Sequence, residues 1–133
     1  MEDNKDLKSA IFDFNKTAHQ LKKQVRRDAR ENEKLITNVA KDLKREVNET
    51  FLEYKKAELT CNEPGSKDAI AKARREKIEI KREINSDERE IRREIREEAD
   101  YLLSEINLLR QSVNEAAISN PGDICIEIDI ENV

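Results

Sequence analysis

Apolar residues recur from Leu7 in steps of four and three, through Ile11, Phe14, Ala18, Leu21 and Val25. That spacing places them on one face of a helix, as a heptad does. After Val25 the step of four repeats at Ala29. The seam then runs on through Asn32, Ile36, Val39, Leu43, Val47, Phe51 and Tyr54, with two further steps of four. Such stutters relax a left-handed supercoil and predict a nearly straight rod. Asn32, polar within the seam, is expected to fix register at some cost in stability.

A second run of the same kind reads Ile70, Ala73, Ile80, Ile84, Ile91, Ile95, Ala99, Ile106, Leu109, Val113 and Ala117, with Leu102 beside it. Lys77 and Glu88 fall where apolar residues are wanted. Between Arg74 and Glu98 this run is mostly arginine, lysine and glutamate, with pairs such as Lys72–Glu76 and Glu88–Arg92 at helical spacing. Each such pair adds roughly 0.2–0.5 kcal/mol to an exposed helix. Asn85-Ser86-Asp87 is the weakest point, because all three side chains favour caps and turns. The periodicity passes through it unslipped, which favours a continuous helix.

Neither run contains proline or glycine. Pro64 and Gly65 interrupt the chain between them, and Ser66 is placed to cap the second run. The expected fold is therefore all-α, a long antiparallel helical hairpin (coiled coil) with helix 4–60, turn 61–66 and helix 67–119. Folding about Asn62–Gly65 makes the numbers of facing residues add to about 127, and each helix spans roughly 75–85 Å. Ser119-Asn120-Pro121-Gly122 stops the second helix, and the period then changes to two. Ile124, Ile126, Ile128 and Ile130 alternate with Cys125, Glu127 and Asp129, which predicts a short strand-like acidic tail over 121–133.

Charged residues make up 42% of the 133 positions and aromatics 4%, a profile of solvent-exposed helices rather than of a thick globular core. The net charge of −4 argues against generic nucleic-acid binding. Each arginine from Arg74 to Arg96 also has an acidic neighbour within four residues, and no aromatic is interleaved with them. Nucleic acid is thus an unfavoured partner. Met1-Glu2-Asp3-Asn4-Lys5 has no apolar signal region and no stretch is long enough to span a bilayer, pointing to an intracellular, cytoplasmic protein.

Catalytic chemistry finds little footing here. His19 is the one histidine, and Lys16 stands where a Glu-x-x-His di-metal motif needs glutamate. Gly65 and Gly122 are the only glycines, so there is no phosphate-cradling loop. Cys61 and Cys125 sit at opposite ends of the expected rod, too far apart for the Cα separation of about 4.4–6.8 Å that a disulfide needs. No enzyme activity, metal or cofactor is expected.

Interaction is the stronger expectation. Apolar positions double near the base of the hairpin, with Phe12 beside Ile11, Leu103 beside Leu102 and Leu109 beside Leu108. Doubling widens the apolar stripe beyond what one partner helix covers. A second copy is the simplest cover, giving a dimeric four-helix base held by Phe12, Phe14, Leu102, Leu103, Leu108 and Leu109. The tail strand has no sheet in its own chain to join, so it is expected to pair through Ile124, Ile126, Ile128 and Ile130 with its copy or with a foreign sheet edge. Its residues resemble two kinds of recognition peptide: acidic-hydrophobic strands taken by ubiquitin-like modifiers, and C-terminal peptides taken by PDZ domains. The function expected is a non-enzymatic scaffold or interaction protein. The alternative is a membrane-surface helical assembly, since Leu7–Arg30 is amphipathic with Lys16, Lys22, Lys23, Arg26, Arg27 and Arg30. Asp6, Asp13, Asp28 and Glu31 dilute that charge and disfavour the membrane reading.

Overall fold

The computed structural model describes residues 2–61 and 63–118, and they form two α-helices packed against each other as a hairpin. Helix α1 spans Glu2–Cys61 and α2 spans Ser66–Ile118. The strand expected over 121–133 lies outside the described residues. Helix α2 runs unbroken through Asn85-Ser86-Asp87. Asn85 tolerates that place because its side-chain oxygen accepts a hydrogen bond from Lys44 Nζ of α1 at 2.9 Å.

The turn follows from two residues. Gly65 has φ +90°, in the left-handed region where a side chain is strained. Its carbonyl accepts the first bond of α2, from the Ala69 amide at 3.0 Å, so Gly65 holds the N-cap position. Ser66, expected to cap, is instead the first helical residue, and its hydroxyl donates back to Glu58 of α1 at 3.3–3.4 Å. Asp68 in the first turn complements the helix dipole.

The buried and half-buried positions of both helices recur every eleven residues. On α1 they fall in triplets: Phe14-Ala18-Lys22, Val25-Ala29-Glu33, Ile36-Ala40-Lys44 and Val47-Phe51-Lys55. On α2 they are Ser66-Ile70-Ala73, Lys77-Lys81-Ile84, Glu88-Arg92-Ile95, Ala99-Leu103-Ile106 and Arg110-Asn114-Ala117. Eleven residues in three turns is about 3.67 per turn, close to the natural 3.6 of an α-helix. This packed stripe differs from the apolar seam in the sequence. Leu21, Asn32, Val39, Leu43 and Tyr54 are exposed, while Lys22, Glu33, Lys44 and Lys55 are drawn in. Lys77 and Glu88 do lie in the stripe, polar as they are. A long cation can occupy such a place by packing its methylenes and carrying its charge to the edge.

The chain divides into two compact units, Met1–Arg30 with Arg96–Val133, and Glu31–Ile95. In the first, Ile11, Ala18 and Ala117 form the dry centre and Asn114 is wholly buried. The two asparagine amides pair across the helices: Asn15 Nδ2 donates to Asn114 Oδ1 at 3.1 Å, and Asn114 Nδ2 donates to Asn15 Oδ1 at 3.2 Å. Arg110 Nε also donates to Asn15 Oδ1, and Asn15 Nδ2 reaches the Ile11 carbonyl at 2.9 Å.

In the second unit Ala40, Phe51 and Ile70 are buried. Lys77 Nζ stands 4.5 Å from the Phe51 ring centre and Arg74 5.7 Å, so cations cap the largest core residue. Lys81 Nζ donates to Asn48 Oδ1 at 3.1 Å, and Arg92 lies between Glu33 at 3.5 Å and Glu88 at 3.9 Å. The residue numbers of Asn15–Asn114, Lys44–Asn85 and Asn48–Lys81 each add to 129, close to the register expected from the turn.

Asn114→Ala removes the Asn15 amide's partner across the helices and is expected to cost about 1–3 kcal/mol. Thermal unfolding followed by circular dichroism should show the loss, with helicity before the transition unchanged.

Candidate interaction faces

Around a helix of eleven residues in three turns, successive side chains are about 98° apart, so each column of residues has a fixed place beside the packed stripe. One flank of the Glu31–Ile95 unit is a groove of about 790 Å³ between the helices. Its walls are Leu43, Val47 and Tyr54 from α1 and Ala73, Ile80 and Ile84 from α2. Its charged lining is Glu46 and Glu76 together with Lys72 and Lys77. Burial holds the Tyr54 phenol above its ordinary value, helped by Glu58, to which it is hydrogen-bonded, and by Glu76. The groove is thus mainly apolar inside, with charges of both signs at its edge.

The residues expected to hold a homo-oligomer are distributed unevenly. In the unit that contains them, Leu102 and Leu109 are 41% and 59% exposed and share a flank of α2 two turns apart. Phe14, half-buried, and Leu21, 51% exposed, share the corresponding flank of α1. Leu103 belongs to the packed stripe. Phe12, 68% exposed, is on the other flank of α1, and Leu108, 57% exposed, is on the back of α2. Three of the six expected residues, Phe14, Leu102 and Leu109, therefore make one apolar face together with Leu21, which was not among them; Phe12, Leu103 and Leu108 do not join it. The tail residues Ile124, Ile126, Ile128 and Ile130 lie outside the described residues.

Sequence reasoning missed the groove because it assigned Leu43, Tyr54 and Ile80 to the seam itself. The signal was present as the eleven-residue recurrence of Ile80, Ile91, Leu102 and Val113. Read as a column, these stand beside the stripe and not within it.

Among the described residues no cluster of three His, Cys, Asp or Glu side chains has the spacing to hold a metal ion. His19 and Cys61 are both exposed. No helix among the described residues is long and apolar enough to cross a membrane. Comparison of the chain with protein families, curated proteins and solved structures finds no match.

Lys22 is the least comfortable charge in the first unit. It is almost wholly buried, and burial, followed by the nearby cations Arg26 and Arg110, pushes its ammonium below the ordinary value. A base whose folded-state value is lowered destabilises the fold while it stays charged. That penalty fades as pH rises through the folded value toward 10.5, where the unfolded chain also loses the proton. Lys22→Met keeps the length of the side chain and removes the charge. It should stabilise the protein by on the order of 1 kcal/mol near neutral pH, with the advantage shrinking toward alkaline pH. Melting temperatures of both proteins across that range provide the check.

Proposed function

We propose that the protein is a non-enzymatic helical scaffold that self-associates near the base of its hairpin and presents its C-terminal segment for strand pairing. The observation that carries this reading is the face formed by Phe14, Leu21, Leu102 and Leu109, three of them more than two-fifths exposed. Burying a leucine contributes about 1.5–3 kcal/mol, so a symmetric contact that covers this face on two copies can exceed the cost of association. Such a contact uses the same patch on both copies, as two-fold dimers do.

The tail extends the reading. Alternating isoleucines on 124–130 give one apolar edge and one carrying Glu127 and Asp129, suited to adding a strand to a sheet. Bringing two copies together at the base sets two such tails near each other, which favours pairing between copies over capture of a separate protein.

Leu102→Glu with Leu109→Glu is expected to give a folded, helical monomer where the parent chain is a dimer. Size-exclusion chromatography with light scattering measures the change, and a parent chain that stays monomeric at high micromolar concentration refutes the reading. Deleting 124–133 should weaken the dimer if the tails pair with one another and leave it intact if they serve a separate partner.

A further inference from the structure

The unit Glu31–Ile95 has two unlike faces, although it holds 16 lysines and arginines against 16 aspartates and glutamates. On α2 the exposed acids Glu76, Glu83, Asp87 and Glu94 fall on the flank that borders the apolar groove and outnumber the one cation there, Lys72; Glu79 and Glu90 stand on the back of the helix. The exposed cations Lys67, Arg74, Arg82 and Arg89 fall on the opposite flank. Helix α1 follows the same division. Beside the groove it presents Val39, Leu43, Thr50 and Tyr54 with Glu46, and on the other flank Lys34, Lys41, Arg45 and Lys56. Arg45 pairs with its near neighbour Asp42 at 2.7 Å, whereas Arg82 and its sequence neighbour Glu83 fall on opposite flanks.

The basic face also carries exposed aliphatic side chains. Leu52 and Leu59 border a shallow hollow with Lys55 and Lys56, and Ile78 stands on the same flank of α2, across from Leu52 in the hairpin register. Aliphatic knobs among cations match an apolar groove whose α2 flank carries Glu76, Glu83, Asp87 and Glu94. The geometry points to stacking of copies through this unit, the basic face of one entering the groove of the next. The inference deepens, and rests on, the reading of the chain as a self-associating scaffold. A contact between two different faces of one chain is not self-complementary, so each added copy offers a fresh face and growth passes beyond a pair, into a ring or an open filament. The balance of charge favours a second copy over a polyanion: the unit as a whole is neutral, and attraction exists only between the unlike faces.

Assembly of the full-length chain is measured by light scattering and sedimentation velocity at about 0.01 M and about 1 M salt, where screening lengths are roughly 30 Å and 3 Å. Apparent mass is expected to rise several-fold beyond the dimer with concentration at low salt and to return to the dimer at high salt. Two charge-reversed chains are compared, Glu76→Lys with Glu83→Lys and Arg82→Glu with Arg89→Glu, each checked for helicity by circular dichroism. Neither alone should grow beyond the dimer, and an equal mixture should regain growth, because each supplies the face that the other now fits.

Undiminished growth of both variants, or failure of the mixture to recover, overturns the stacking. A parent chain that stays a discrete dimer at low salt, lost on Leu102→Glu with Leu109→Glu, also overturns it while leaving the scaffold reading in place. A parent chain that is monomeric throughout removes both. A parent chain that fails to grow at low salt yet binds heparin through Arg82 and Arg89 overturns stacking in favour of a polyanion site.

Discussion

The constraint that shapes this protein is the eleven-residue spacing of its packed positions. At about 3.67 residues per turn a stripe stays aligned with a partner helix while each helix keeps close to its natural pitch. Within that stripe α1 repeats a fixed order through its first three triplets: a large apolar residue, an alanine, and a charged residue, as in Phe14-Ala18-Lys22. The alanines let the backbones approach closely and explain why so much of the dry centre is Ala18, Ala40 and Ala117. The charged member limits how much apolar surface the hairpin can remove from water.

Because 11 of the 27 stripe positions are polar, the hairpin is specified by hydrogen bonds as much as by hydrophobic burial. The amide pair Asn15–Asn114 accepts no slip by one turn, since a shift strands two buried amides at once. Lys44–Asn85 and Asn48–Lys81 act in the same way within their own unit, at lower cost because the cations reach the edge. Lys22 is the exception. It is buried near two other cations, and that burial works against its charged form.

The same spacing displaces apolar residues from the stripe to its flank. Leu21 and Leu102 in one unit, and Leu43 and Ile80 in the other, are half-covered side chains on the flank that also carries the acids of α2. A hairpin that satisfied only itself would place charge there. In the Glu31–Ile95 unit the exposed cations Lys67, Arg74, Arg82 and Arg89 of α2 gather on the opposite flank, so that one side is apolar with acids beside it and the other is basic.

The sequence by itself determined the two long helices, the turn and the pairing register, because proline, glycine and a three-four periodicity are local properties of the chain. It also marked Lys77 and Glu88 as occupants of the packed stripe. What it left open was which side of each apolar column faces inward. Steps of three and four are satisfied equally by Leu21, Leu43 and Tyr54 and by Lys22, Lys44 and Lys55, and hydrophobicity alone selects the first set. Only packing two helices together decides for the second, since the stripe must keep one period along both. Charge segregation was hidden for a related reason. Neighbours in sequence such as Arg82 and Glu83 lie about 98° apart around the helix, so an interleaved string becomes two opposed faces once the helix forms.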